Sequence, residues 1–287
     1  MPLQPGPTTP IYATLYGHPR SKGHFELTPN RILAGSGGFV TTPGLWGVLR
    51  PGGIMLEALR LSGKDRPRVC LVLTASGDSP EYLAGMYSAL AEANCDVDHL
   101  ALFPQPNRVV GEAIARADVV WVGGGSVANL LALWQLHGVD DAMRAAWQRG
   151  TILAGVSAGS ICWHVGGPTD SFGAQLQVVT NGLGLLPYGN GVHYDSEAGR
   201  RPLLHELVKA KMLPTAYATD DGVAILYEGT EPVAVIADTP RAAETRAAET
   251  RAAGTGAAGT GPAAYRVELL DGQIVETRLE VGPITLS

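Results

Sequence analysis

Cysteine is scarce in this chain: Cys70, Cys95 and Cys162 are the only three among 287 residues. Few, odd in number and widely spaced, they argue against a disulfide framework and against a zinc site. Cys70 falls in an apolar run and reads as a buried, inert thiol. Dense basic blocks are missing too. Lys and Arg total 21 against 27 Asp and Glu, a formal net charge of −6, which argues against a nucleic-acid surface. The opening "MPLQPGPTTPIYATLYGHPR" lacks a basic stretch followed by an apolar one, so no secretory signal is expected. Residues Val119 to Val139 carry no formal charge, but "GGGS", Asn129, Gln135 and His137 break them into strand, turn and helix rather than a membrane span. The expectation is a soluble, cytoplasmic protein with neither a membrane nor a nucleic-acid partner.

What is present is a core-forming composition, 45% hydrophobic, and a length suited to one main domain. Residues 1–29, rich in Pro, Gly and Thr, read as an irregular arm. From Arg31 a rhythm begins. "RILAGSGGFV" starts as a short strand and ends in glycines, and "RVCLVLTAS" is a strand apolar on both faces. "SPEYLAGMYSALAEAN" is a helix with Ser79 as cap and Pro80 at its first position. "DVDHLALF", "RVVGEAIARA" and "DVVWVGGG" continue as strand, helix, strand. "SVANLLALWQLHGVDDAMRAAWQRG" is helical with a break near Gly138, and "TILAGVS" is the next strand. Alternation of this kind predicts an α/β fold: a doubly wound, mostly parallel sheet with helices on both faces. Later segments read as a strand ("LQVVTNGLGLLP"), a helix ("GRRPLLHELVKAK") and late strands and hairpins ("GVAILYEG", "PVAVIAD", "YRVELLDGQIVETRLE").

A five-residue unit repeats through "RAAETRAAETRAAGTGAAGTG", residues 241–261. Its apolar content is almost entirely Ala, too little to offset the entropy of ordering. The expected organisation is therefore one α/β domain over 30–287, interrupted by a low-complexity insert over 239–262.

Three Gly-rich strand exits, "GSGG", "GGGS" and "GVSAG", should gather beyond the carboxyl ends of the parallel strands. In the last of them Ser157 lies between Gly155 and Gly159, after a strand and before a helix, the G-x-S-x-G arrangement of a nucleophile elbow. The glycines remove Cβ atoms that would clash, and the following helix aims backbone N–H groups at developing negative charge. A serine needs a base, and seven histidines are available. His164 is two helical turns away, about 10 Å along an axis. His205 sits within a helix, His99 mid-strand, His137 near a helix end, and His18 and His24 in the arm. His193, opening the polar loop of "GNGVHYDSE", is best placed. Asp221, Asp220, Asp170 and Asp195 are all candidates to orient it, and spacing does not separate them. The amide of Ala158 and the run Gly123, Gly124 and Gly125 can supply oxyanion donors, each worth ~3 kcal/mol of barrier. Read instead as a phosphate-cradling turn, "VGGGS" lacks the G-x-G-x-x-G spacing and a P-loop lysine.

The ordered series "VVWVGGGSVANLLALW", "ILAGVSAGSICW", "VHYDSEAGRRP" and "YATDDGVAIL" resembles peptidase E and the cyanophycinase-type serine peptidases, over roughly Arg31 to the end without the repeat. The resemblance implies a glutamine-amidotransferase-like fold and hydrolysis of small peptides, dipeptides with N-terminal aspartate among them. It implies Ser157 as nucleophile, His193 as base, and Asp221 or Asp170 as the third member. Gly124 and Gly125 with Ala158 would form the oxyanion hole; Arg200 and Arg201 would either face an acidic substrate group or form a solvated pair at a helix start. No metal or cofactor is implied; a homodimer is. Two departures put the aspartate preference in question: Val156 stands where peptidase E has Trp, and no Asn-Pro precedes His193. The competing reading is a non-catalytic small-molecule or nucleotide binding module on the same fold.

Overall fold

The computed structural model describes residues 29–42, 44, 48–238 and 261–285. But for their edge residues, the arm expected over 1–29 and the insert expected over 239–262 lie outside the described residues. The chain opens with β1 (Arg31–Gly35), the short pair β2 (Phe39–Thr41) and β3 (Leu49–Pro51), and α1 (Gly53–Leu61). There follow β4 (Arg68–Val72), α2 (Pro80–Leu90), β5 (Asp96–Leu100), α3 (Val110–Ala115) and β6 (Val119–Val122). Next come α4 (Val127–His137), α5 (Val139–Gln148), β7 (Ile152–Val156) and the single turn α6 (Ala158–Ile161).

Local chemistry sets these boundaries. The Ser79 hydroxyl accepts from the Tyr82 amide at 3.2 Å and Pro80 occupies the first position of α2. Ser126 caps α4 through the Asn129 amide. Gly138, left-handed at φ 68°, ends α4 and starts α5, the break expected from the sequence.

Strands β5, β4, β6, β7 and β1 run parallel in that order, and each alternates its side chains between two cores. Val69 and Leu71 of β4 pack with Met55 and Ala58 of α1 and with Met86 and Leu90 of α2. Cys70 and Val72 pack against Ile114, Leu130, Trp134 and Met143 of α3 to α5. The sheet is therefore covered on both faces, as the apolar runs predict. Burial pushes the Cys70 thiol up to about 12 and the Cys162 thiol well above its usual range, so both are inert.

Beyond α6 the chain forms the hairpin β8 (Gly167–Thr169) and β9 (Gln177–Val179), then β10 (Gly189–Gly191), α7 (Arg200–Lys209) and β11 (Ala216–Thr219). It ends in β12 (Val223–Glu228), β13 (Glu231–Ala237), β14 (Ala264–Leu270), β15 (Gln273–Leu279) and β16 (Gly282–Pro283). The late strands divide between two sheets. β12, β13 and β16 extend the main sheet antiparallel beside β1, giving eight strands. β14 and β15 join β10 and β11 in a second sheet of four, covered by Leu204, Leu207 and Val208 of α7. Of the strand expected in "LQVVTNGLGLLP", only Gln177–Val179 is extended; the glycines that follow turn the chain. No helix among the described residues is long and apolar enough to cross a membrane.

Candidate active site

β7 delivers Ser157 to the edge of the sheet in a backbone conformation rare for a non-glycine residue, φ 57° and ψ −115°. Its amide donates to the Gly35 carbonyl at 3.0 Å, and its own carbonyl accepts from the Ser160 and Ile161 amides as α6 begins. The flanking glycines are sterically obligatory. A Cβ on Gly155 would lie 2.1 Å from the Gly159 carbonyl oxygen, and one on Gly159 would lie 2.2 Å from that of Val122. The half-buried hydroxyl is left at the mouth of the turn.

The glycine loop after β6 packs directly on this elbow. A Cβ on Gly124 would sit 3.2 Å from the Ser157 Cβ and 3.8 Å from its Oγ. Gly125 has φ 134°, and a Cβ there would collide with the Ala75 carbonyl. Tyr82 lines the back of the loop. Burial raises the pKa of its phenol, and the Gly124 amide pulls it back down. Ala158 opens α6 and is buried.

His193 follows β10, also left-handed at φ 53°. Its Nδ1 lies 2.6 Å from Asp221 Oδ1, and its backbone amide donates to Ser36 Oγ at 2.9 Å. The Asp221 amide in turn donates to Asp195 Oδ1, so Asp195 steadies the loop rather than the ring. Asp220 is buried and turned away: its Oδ2 accepts from the Ala263 amide and the Tyr265 hydroxyl. Burial raises its pKa, and the Ala263 amide moderates the rise.

The other candidates fall elsewhere. Asp170 is exposed and lies 3.7 Å from Arg200, in a cavity of about 900 Å³ that Gln175, Glu197 and Glu206 also line. No bond joins it to His193. Arg200, expected to face substrate, is instead a structural pin. Its side chain is only 3% exposed, donating to Glu197 Oε2 at 2.6 Å and to the Pro168 carbonyl at 2.7 Å. Arg201 stacks on the rings of Tyr194 and Tyr265, 4.5 and 4.6 Å from their centroids, and pairs with Glu276. The Arg200 guanidinium is thus buried among partners in the fold, whereas the Arg201 side chain, held by Tyr194, Tyr265 and Glu276, stays 41% exposed. Ser36 was not singled out from sequence; its only signal was its place in the "GSGG" strand exit. Asp238, whose carboxylate accepts from the Gly38 amide at 2.6 Å and the Ile54 amide at 3.1 Å, gave no sequence signal. Among the described residues no group of three or more His, Cys, Asp or Glu is arranged to hold a metal ion.

A serine on a strained strand-to-helix turn, clasped by a glycine loop, and an imidazole paired with a carboxylate are the parts of a serine-type hydrolase. The chain belongs to peptidase family S51, whose model matches residues 54–235. YgaJ, an uncharacterised peptidase of Bacillus subtilis (strain 168), is 39% identical over 196 residues, 68% of this chain and 81% of that relative. Two solved structures share the fold at 16% identity. A putative peptidase E protein from Listeria monocytogenes EGD-e has a TM-score of 0.51, covering 72% of this chain and 97% of its own. A peptidase from an acI-B1 Actinobacterium has a TM-score of 0.59, covering 88% and 98%. The protein is accordingly a serine-type peptidase of α/β fold, and the binding-module alternative is set aside.

Proposed function

We propose that the protein hydrolyses small peptides, dipeptides included, through an acyl-enzyme on Ser157. The observation that carries this reading is the 2.6 Å contact of His193 Nδ1 with Asp221 Oδ1, on a loop tied beside the elbow. The adjacent residues Gly35 and Ser36 receive the backbone amides of Ser157 and His193 respectively. In the proposed cycle His193 Nε2 takes the Ser157 proton as Oγ attacks the scissile carbonyl. Asp221 fixes the Nδ1–H tautomer and stabilises the imidazolium. The amides of Ala158 and the Gly124–Gly125 loop receive the oxyanion. His193 then protonates the leaving amine, and water, deprotonated by the same ring, releases the acid. A preference for N-terminal aspartate finds no support in Arg200 or Arg201, because both are occupied by other partners.

The test is a fluorophosphonate probe followed by mass mapping, with Asp221→Asn and Asp170→Asn assayed in parallel on a dipeptide panel. One adduct is expected, on Ser157. Asp221→Asn should lower turnover by roughly 10⁴-fold, as loss of the orienting carboxylate does in other triads, while Asp170→Asn keeps most of it. An adduct elsewhere, or the reverse order of the two Asp variants, contradicts the assignment.

A further inference from the structure

The "GSGG" exit of β1 carries no side chain of the proposed chemistry, yet its backbone and one hydroxyl reach every strand end that does. The Gly35 carbonyl accepts the Ser157 amide at 3.0 Å. The Ser36 carbonyl accepts the Gly222 amide at 3.1 Å, directly after Asp221. Ser36 Oγ accepts the His193 amide at 2.9 Å. Ser36 is 6% exposed and its hydroxyl is fully used: it lies 3.0 Å from the Thr219 carbonyl, to which it donates, and 2.7 Å from Thr219 Oγ1, whose proton it can accept. The loop itself has no freedom to drift. A Cβ on Gly35 would strike the Val223 carbonyl, one on Gly37 the Asp238 carboxylate, and one on Gly38 the Trp121 ring.

His193 is where this support is needed. A non-glycine residue at φ 53° relaxes unless its surroundings hold it. Its amide is one such hold, and Ser36 Oγ is the acceptor. We propose that Ser36 is a positioning residue of the hydrolytic reaction: through the His193 amide and Thr219 it keeps the imidazole in register with both Ser157 and Asp221. The inference rests on the roles proposed for Ser157 and His193. It assigns to the Ser36 hydroxyl a part in rate rather than in substrate binding or folding.

The experiment measures saturation kinetics of Ser157 labelling by a fluorophosphonate on the full chain. The variants are Ser36→Ala, Ser36→Cys and Ser36→Thr, with His193→Ala as reference and thermal melts reporting the folded state. Ser36→Ala should lower the limiting rate roughly 10- to 100-fold with the half-saturating probe concentration unchanged, as small misplacements of a catalytic group do. Ser36→Cys fills the site with a slightly larger, weak acceptor; it should lose rate too and supplies a second variant should the alanine one melt. Ser36→Thr, which retains an oxygen, should recover most of the rate. Labelling of Ser36→Ala at the wild-type rate, or an equal loss in the Ala and Thr variants, overturns the positioning role. If His193→Ala labels like wild type, the reading beneath it fails instead.

Discussion

Seven residues beyond Ser157, the His164 ring is wholly buried, with Nδ1 2.9 Å from the Ser160 carbonyl and Nε2 facing the Tyr227 hydroxyl at 3.4 Å. Removal from water lowers its pKa from 6.5 to about 4. The unfolded chain takes up a proton near pH 6.5, which the folded one refuses until about pH 4. Its contribution to stability is therefore full above pH 6.5 and is lost as pH falls toward 4, by roughly 3 kcal/mol. Urea unfolding at pH 7 and pH 4 should show wild type losing that much more than His164→Gln, which keeps a donor for Ser160 but cannot titrate in this range. Equal losses in the two would contradict the assignment. From sequence this histidine was set aside on the expectation of a helix running through it; the helix ends at Ile161, and it is burial against Tyr227 that occupies the ring. Ser157 stood out because the steric demands of an elbow reach only two residues either side, within sight of local reading. Ser36 did not stand out, because its bond to His193 spans 157 residues and no spacing rule covers it. The pairing of Asp221 rather than Asp220, Asp170 or Asp195 with His193 was equally closed to local reading: it is a contact made only in three dimensions, and composition near each is that of an ordinary turn.

Elements with a local start signal were legible as such. Ser79–Pro80 announced α2, and Gly138 announced the division of α4 from α5. By contrast α1 went unread, since Gly52 caps it with no side-chain bond and "RPGG" before it looks like a turn. The glycines of the elements separate into two kinds with opposite expected responses to alanine. A Cβ on Gly159 would meet the Val122 carbonyl at 2.2 Å, backbone that cannot give way without opening the junction of α6 with β6. Gly159→Ala is expected to cost roughly 1–3 kcal/mol or more and to abolish labelling of Ser157. Gly85, inside α2, has nothing within 4 Å of its would-be Cβ. There alanine only narrows the unfolded ensemble and fills a helix position, a gain of roughly 0.5–1 kcal/mol. Denaturant midpoints of the two variants, moving in opposite directions about wild type, check both; a stabilised Gly159→Ala would refute the steric account of the elbow.

For the whole molecule, periodicity foretold the parallel half but not the division of the late strands. β12 pairs with β1 across 197 residues of chain, Arg31 opposite Glu228, and nothing in either strand specifies its neighbour. The same long-range closure bears on the repeat. On its near side, β13 runs into Asp238, clamped by the Gly38 and Ile54 amides. On its far side, the Ala263 amide is held by Asp220, next to Asp221, and β14 pairs with both β11 and β15. Each flank is thus anchored to the fold by its own bonds, and neither anchor uses a residue of 241–260. Composition adds that this stretch has little beyond Ala to bury. Replacing residues 241–260 by a Gly/Ser linker of equal length should leave the melting temperature and the labelling rate of Ser157 at their wild-type values. A fall in labelling rate at unchanged melting temperature would mean that the repeat acts on the site through the Asp220–Ala263 bond. A fall in both would mean that the domain proposed over 30–287 draws part of its stability from the insert.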